Sequence, residues 1–237
     1  MTTRRLILSL APVLVGLGLM SAAAETRAPV VLELFTSQGC DSCPPADAYL
    51  GELAKRPDAI ALAFHVDYWD YIGWKDPYAL ADATKRQRDY GGALGARVIY
   101  TPQLVIQGAV HEVGSDRGAV ARSIAAALRP TVSVRLKREA DALKLEIGAG
   151  SGPGEVWLVG YDPKHETKVP RGENAGKTLV EYNIVRGFRR VATWSGAALS
   201  LDLPVGELPL GSAYAALLQV PGPGPILGAA SLPALAE

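Results

Sequence analysis

The chain has 237 residues with 24 basic and 24 acidic side chains, so its formal net charge is zero. Hydrophobic residues make up 49% of it and charged residues 20%, a balance typical of a folded globular protein that excludes a disordered or collagen-like chain. Nucleic acids and anionic membrane surfaces select proteins with a clear basic excess. We therefore expect neither as a partner, and the length suits one large domain or two small ones.

Residues 1–24 have the pattern of an export signal. Arg4 and Arg5 give a positive start, an apolar run follows, and three alanines at 22–24 supply the small residues that a signal peptidase requires. The apolar run is about 15 residues long, short of the roughly 20 that span a bilayer as a helix, which favours cleavage over an uncleaved anchor. The paired arginines also leave a twin-arginine route open. We expect a mature protein in the periplasm or secreted, with no stable membrane insertion after signal cleavage.

Residues 25–129 show an α/β pattern. Val30–Phe35 is a β-rich apolar run, turn residues follow, and the prolines Pro44 and Pro45 suit the first turn of a helix. The order of predicted elements is strand, helix, strand, helix, strand, strand, helix. The later elements are a strand at 60–66, a helix from Asp76 to about Tyr90, strands within 98–107 and at 110–113, and a helix from Asp116 to about Leu128.

Residues 130–237 have a different pattern. Apolar and polar residues alternate, as at Leu143, Leu145 and Ile147, and the alternating runs are separated by Gly, Pro, Asp and Asn. Period-two runs of this kind indicate antiparallel strands with one buried face. We expect an antiparallel β-sandwich-like domain with a boundary near Pro130.

Cys40 and Cys43 are the only cysteines, and they fall between the first strand and the first helix. A bridge across two residues restricts the unfolded chain little, so a purely structural disulfide is a poor explanation. At a helix N-terminus, backbone N–H groups and the helix dipole stabilise a thiolate, which is the form that attacks a disulfide. We expect Cys40 to be the nucleophile and Cys43 the resolving thiol, at an accessible helix mouth. Asp41 between them opposes the thiolate by its charge.

Three segments resemble the landmarks of a thioredoxin fold: the strand Val30–Phe35, the motif Cys40–Pro44, and Tyr100–Val105. The longer stretches Leu32–Cys40 and Phe64–Asp70 resemble a family of uncharacterised exported bacterial proteins, domain of unknown function 1223, over roughly residues 30 to 220. The resemblance implies a thioredoxin-like domain followed by the β domain. It implies no settled activity.

The same resemblance implies roles for three further residues. Pro102 would be the cis-proline that faces the cysteines, and Thr101 would present backbone groups to an extended substrate. Glu33 would be the buried acid that shuttles a proton to Cys43, although it lies one residue farther back than the usual spacing. The alternative for Glu33 is a strand carboxylate that faces solvent or pairs with a lysine. Gly39 stands where thioredoxins usually carry a tryptophan.

The aromatic cluster at 68–74 and the histidines leave further alternatives. Trp69 and its neighbours either line a substrate groove beside the cysteines or pack an inserted segment onto the sheet, and packing is favoured. His65 lies two residues before Asp67, and a cysteine-plus-histidine site would suit Cu(I). Because both methionines lie in the export signal and the cysteine spacing is shorter than that of copper-delivery proteins, we predict no metal site.

These observations favour an exported thiol–disulfide oxidoreductase that acts on protein or small-molecule thiols and disulfides. No organic cofactor or nucleotide is implied, since no glycine-rich phosphate loop follows a strand. The alternative is an envelope protein, copper-binding or partner-binding, that keeps the thioredoxin fold without turnover. In either case the C-terminal β domain would select the substrate or partner.

Overall fold

The computed structural model describes residues 28–234, so the predicted export signal lies outside the described residues. Within this part of the chain, three α-helices and two short 3₁₀ turns connect or cover eleven strands in two sheets. The helices are α1 (Pro44–Leu53), α2 (Ala81–Ala93) and α3 (Arg117–Ala126), and the 3₁₀ turns are Asp70–Ile72 and Val205–Glu207. None of these helices has the length and apolar character needed to cross a membrane.

Eight strands form the large sheet and three form the small one. The large sheet contains β1 (Val30–Thr36), β2 (Ala59–His65), β3 (Gln103–Ile106), β4 (Val110–Val113), β7 (Gly154–Lys168), β8 (Thr178–Trp194), β10 (Ala213–Gln219) and β11 (Ile226–Leu232), in the order β11-β10-β7-β8-β2-β1-β3-β4. The small sheet contains β5 (Val134–Arg138), β6 (Ala142–Ile147) and β9 (Leu199–Pro204), in the order β5-β6-β9. The predicted order of elements up to α3 is confirmed.

Strand β1 lies inside the large sheet and is buried along its whole length. It pairs in parallel with β2 and antiparallel with β3. Successive side chains of a strand point to opposite faces. Leu32 and Leu34 accordingly share a hydrophobic cluster with α1 and α3, whereas Val31 and Phe35 belong to a second cluster with residues of α2. The apolar run of β1 is explained by this burial on both faces.

The large sheet continues across the predicted domain boundary near residue 130. Strand β8 runs parallel to β2, with Ala63 opposite Ile184, and β7, β10 and β11 extend the sheet from there. The described parts of the two predicted domains, 28–129 and 130–234, therefore share one sheet, and the predicted boundary is not marked by a break in it. Alternation in a sequence shows which face of a strand is buried, but it does not identify the strand's partner.

The small sheet packs on one side of the large sheet. Leu143, Leu145 and Ile147 of β6 are buried, as their alternation predicts, and they join a cluster with Val156 and Leu158 of β7. This is the part of the C-terminal half in which two sheets share a hydrophobic core. It lies at the β7–β11 side of the large sheet, whereas the cysteines lie between the end of β1 and the start of α1.

Candidate functional site

Cys40 and Cys43 form a disulfide at the start of α1, where Cys43 occupies the N-cap position. Strand β1 ends at Thr36, and tight backbone bonds, from Cys40 N to Ser37 O at 3.1 Å and from Cys43 N to Cys40 O at 3.3 Å, turn the chain into the helix. Both cysteines have 0% exposure. The predicted placement at the helix N-terminus is confirmed, but the predicted accessibility of the sulfurs is wrong for this closed conformation.

We call residues 37–43, between β1 and α1, the cysteine loop, and residues 68–74 the aromatic segment. The aromatic segment packs over the cysteine loop. A Cβ on Gly39 would lie 3.0 Å from Trp69 Cβ and 3.4 Å from Ile72 Cδ1, so the close approach favours glycine here. Trp74 Nε1 also donates a hydrogen bond to Gln38 Oε1 at 3.0 Å. Packing over the loop is thus supplied by aromatic residues thirty positions later in the chain. This packing explains why position 39 holds a glycine.

Thr101 and Pro102 lie close to the same loop. Trp69 Nε1 donates to Thr101 Oγ1 at 2.8 Å, and the Thr101–Pro102 peptide bond is cis, as the resemblance implied. Pro102 and Ala46, in the first turn of α1, both border Gly114. The structure therefore brings together the cysteine loop, Trp69, Thr101 and Pro102. In this conformation the Thr101 hydroxyl is occupied by Trp69, and the Pro102 carbonyl accepts from Gly114 N at 2.9 Å.

Glu33 does not face Cys43, and its predicted proton-shuttle role is contradicted. Its carboxylate receives hydrogen bonds from Arg86 Nε at 2.6 Å, Arg86 Nη2 at 3.0 Å and Tyr90 Oη at 2.5 Å, all on α2. Strand β1 presents odd-numbered side chains to α2 and even-numbered ones to α1, so Glu33 lies on the wrong face. Burial alone would lower the pKa of Arg86, but Glu33 and Tyr90 raise it above its ordinary value. The alternative of a paired strand carboxylate is confirmed, but the partner is Arg86 and not the predicted lysine.

A cluster of buried polar side chains lies on the α1 face, behind the cysteines. Asp47 lies one turn after Cys43 on α1 and accepts a hydrogen bond from Thr36 Oγ1 at 2.8 Å. Asp76 Oδ2 accepts from His65 Nδ1 at 2.7 Å and from the Gln38 backbone N–H at 2.8 Å. We call this set the acid–histidine cluster; its members are Thr36, Gln38, Asp47, His65, Asp76 and Glu181, and all are buried.

Two atoms of the acid–histidine cluster lack hydrogen-bond partners among the described residues. They are His65 Nε2 and Glu181 Oε1, which lie 3.6 Å apart. The other Glu181 oxygen accepts from Gln38 Nε2 at 2.7 Å. His65 thus has a carboxylate beside each ring nitrogen. Nδ1 forms a hydrogen bond with Asp76, whereas Nε2 is too far from Glu181 for one.

Burial and these contacts shift the pKa values of Asp47, His65 and Asp76. Burial, together with the charge of Glu181, raises the pKa of Asp47 to about 7. Burial alone would lower the pKa of His65, but Asp76, Glu181 and Asp47 raise it to about 9. Burial favours the neutral form of Asp76 as well, yet His65 holds the pKa of that carboxyl below its ordinary value. At pH 7 the cluster therefore contains an imidazolium–carboxylate pair and, in Asp47, an acid close to half protonation.

The metal alternative finds no support among residues 28–234, since no three His, Cys, Asp or Glu side chains are arranged to hold an ion there. His65 does not act with Asp67 as their spacing suggested. Asp67 instead accepts from Thr84 Oγ1 at 2.6 Å, while His65 contacts Asp76.

Comparison with known proteins gives a family for this arrangement. Residues 31–219, which include the cysteines and the whole acid–histidine cluster, match the family described as "Protein of unknown function (DUF1223)". The chain belongs to the DUF1223 family. No curated protein sequence matches this DUF1223 protein.

Two solved structures resemble this DUF1223 protein. The crystal structure of a protein from Agrobacterium tumefaciens, a structural genomics target, is 31% identical and superposes with a TM-score of 0.79 over 90% of this chain and 100% of its own. A second structure, HBP35 of Porphyromonas gingivalis, is 12% identical with a TM-score of 0.54, over 87% of this chain and 75% of that chain. The second likeness shows a shared fold alone.

Sequence reasoning missed the contribution of the C-terminal half of the DUF1223 chain to this site. Asn174, in the loop between β7 and β8, donates from Nδ2 to Gln38 O at 3.0 Å and to Cys40 O at 2.9 Å. Glu181 on β8 completes the acid–histidine cluster. The only sequence signal for Glu181 is a carboxylate between apolar Val180 and Tyr182. Asn174 stands in a stretch that has the composition of an ordinary loop.

Proposed function

We propose that this DUF1223 protein is an exported thiol–disulfide oxidoreductase-like protein whose first half is thioredoxin-like, acting in the periplasm or outside the cell. The observation that carries the proposal is the Cys40–Cys43 disulfide at the first turn of α1, with buried Asp47 one turn further along the helix. Trp69 links the cysteine loop to Thr101, because it packs on Gly39 and donates a hydrogen bond to Thr101 Oγ1. The element order up to α3 and the family membership are consistent with it.

The chemistry is a two-step exchange. In the reducing direction the Cys40 thiolate attacks one sulfur of a substrate disulfide, forming a mixed disulfide and releasing one substrate thiolate. The Cys43 thiolate then attacks Cys40 Sγ, which forms the Cys40–Cys43 bond and releases the second substrate thiolate. Two electrons pass from the cysteine pair to the substrate. The oxidising direction runs the same two steps in reverse.

Asp47 takes the proton-handling role first assigned to Glu33. Its backbone N–H donates to Cys43 O at 3.1 Å, which fixes it one helical turn beyond the resolving cysteine. Cys43 must lose a proton before it attacks Cys40, and a group with a pKa near 7 exchanges protons effectively at neutral pH. Asp47 is therefore proposed to accept the Cys43 proton, and the imidazolium of His65 stabilises its charged form.

Trp69, Thr101 and Pro102 are proposed to form the substrate-binding edge. In the closed conformation the aromatic segment occupies that edge, because Trp69 packs on Gly39 and binds Thr101. Exchange then requires the aromatic segment to move away from the loop. Tyr71 is 81% exposed, whereas Tyr68, Trp69 and Trp74 anchor the aromatic segment through side-chain hydrogen bonds.

The second candidate is a partner-binding protein without turnover, and the complete burial of both cysteines favours it. In that case the disulfide would be a stable local bridge and the partner would bind elsewhere. The two candidates differ in one measurable property, which is whether the disulfide exchanges with thiols while the protein stays folded.

In the first assay the mature protein is incubated in glutathione buffers of graded redox ratio, its free thiols are alkylated, and the products are identified by mass spectrometry. The second assay compares insulin reduction by wild type with that by the cysteine variants. Cys43→Ser is expected to accumulate a glutathione mixed disulfide at Cys40, whereas Cys40→Ser is expected to accumulate none and to lose insulin reduction. Ser123→Ala serves as the control and should retain exchange, because Ser123 lies on α3 and donates to Glu112 of β4. A disulfide that opens only at urea concentrations that unfold the whole protein would refute the oxidoreductase proposal.

A further inference from the structure

Asn174 is fully buried and makes contacts that are unusual for a loop residue. Its single amide group satisfies two carbonyls of the cysteine loop, at Gln38 and Cys40, from 134 or more positions later in the chain. Its own carbonyl oxygen accepts from Lys177 Nζ at 2.8 Å. A buried backbone carbonyl without a partner is costly, so the loss of one amide would leave two acceptors unsatisfied in the closed conformation.

The loop that carries Asn174 is held as a unit. Val169 N donates to Lys177 O at 2.9 Å, and Gly176 N donates to Val169 O at 2.8 Å, which closes the base of the loop. Gly172 adopts a left-handed conformation with φ of 77° and lies against Trp74. The loop therefore touches both the cysteine loop and the aromatic segment, and we call residues 169–177 the latch loop.

We infer that Asn174 is a positioning residue that latches the cysteine loop in its closed, buried conformation and so controls how fast thiols reach the disulfide. The role of Asn174 in thiol exchange with a substrate rests on the proposed function. Its effect on how readily the cysteine loop opens is a property of the folded protein and can be measured without a substrate. It gives the C-terminal half of the chain a specific task at the cysteines. A partner that binds at the latch loop and displaces it would therefore expose the disulfide next to the bound partner.

The latch makes a quantitative prediction about local opening. If the disulfide is reached through local opening, weakening the closed conformation by about 1.4 kcal/mol raises the open population, and hence the reduction rate, about tenfold. Two hydrogen bonds to buried carbonyls are lost in Asn174→Ala, so we expect dithiothreitol to reduce this variant at least tenfold faster than wild type. Lys177→Ala leaves the Asn174 amide in place but frees its orientation, and we expect a smaller acceleration of roughly two- to fivefold.

The experiment measures the pseudo-first-order rate of disulfide reduction by dithiothreitol at fixed pH, with alkylation of the released thiols, at several urea concentrations well below the unfolding midpoint. Ser123→Ala is the control, because Ser123 donates to Glu112 between α3 and β4, away from the cysteines, and its rate should stay within twofold of wild type. A rate in Asn174→Ala that rises at least tenfold and depends only weakly on urea supports the latch, since local opening exposes little surface.

Two results would overturn the inference. One is an unchanged rate in Asn174→Ala. The other is an acceleration that equals the loss of global stability and has the full urea dependence of unfolding, which would mean that Asn174 has a merely structural role. Should Asn174→Ala fold poorly, the same comparison is made with Lys177→Ala. Failure of wild type to exchange with glutathione would count against the proposed function alone, because the dithiothreitol rates test the latch without any enzymatic activity.

Discussion

The substitution Glu33→Gln separates the structural role of Glu33 from the catalytic role that sequence reasoning gave it. It keeps the shape of the side chain but removes the negative charge that Arg86 needs. The Arg86 side chain is 6% exposed and its guanidinium lies over four aromatic rings, so the cation stays buried when its partner is neutral. Breaking a buried pair by neutralising one partner costs ~3–5 kcal/mol, and because the ring contacts persist we expect the lower end.

Equilibrium urea unfolding of the oxidised protein measures this effect. With a urea slope of ~2–3 kcal/mol/M, a loss of ~3 kcal/mol lowers the midpoint by ~1 M or somewhat more. The matched control is Glu155→Gln, which neutralises a Glu–Arg pair whose Arg190 side chain is 52% exposed, and its effect should stay below ~1 kcal/mol. The reduction rate of the folded Glu33→Gln protein should not change. An unchanged midpoint together with slowed thiol exchange would refute this reasoning and restore Glu33 as the proton relay.

Three further predictions concern proton affinity and packing. Because burial raises the pKa of Asp47 to about 7 from an ordinary 3.8, its contribution to stability is full below about pH 4 and is lost as the pH rises through 7. Asp47→Asn should therefore gain stability relative to wild type between pH 4 and 7, by up to ~1.4 kcal/mol per pH unit in urea titrations, and a constant difference would contradict this. The pKa of His65 is raised to about 9 from 6.5, because its neighbouring carboxylates outweigh its burial, so its contribution is full below pH 6.5 and is lost as the pH rises through 9. His65→Gln should accordingly destabilise the protein more at pH 6 than at pH 9.5, and an equal loss at both would count against the charged pair. Gly51→Ala would press a Cβ into the Tyr182 ring and cost ~1–3 kcal/mol, whereas Gly92→Ala, in open space on α2, should gain ~0.5–1 kcal/mol; equal thermal shifts would show that the ring moves aside.

The first half of the fold was predictable because its signals are local. An apolar run marks β1, prolines mark the start of α1, and Asp116 caps α3 by accepting from Ala119 N at 2.9 Å. The cysteine pair and Pro102 could be located for the same reason, since each lies in a short motif.

What could not be predicted depends on contacts between distant parts of the chain. The odd-even alternation along β1 determines the face on which Glu33 lies, but the apolar residues on both sides of it hide which face meets α2. The acid–histidine cluster joins β1, α1, β2 and β8, and no local pattern links Asp47 to Glu181. The same holds for Asn174, whose partners lie more than 130 positions earlier.

The parallel pairing of β2 with β8 has a consequence for biogenesis. A nascent chain that ends near residue 130 would present the β2 edge, including Ile60, Leu62 and Phe64, without the strand that later covers it. Uncovered apolar edges recruit other chains and aggregate. A protein built this way benefits from being kept unfolded until synthesis is complete, rather than from folding domain by domain on the ribosome.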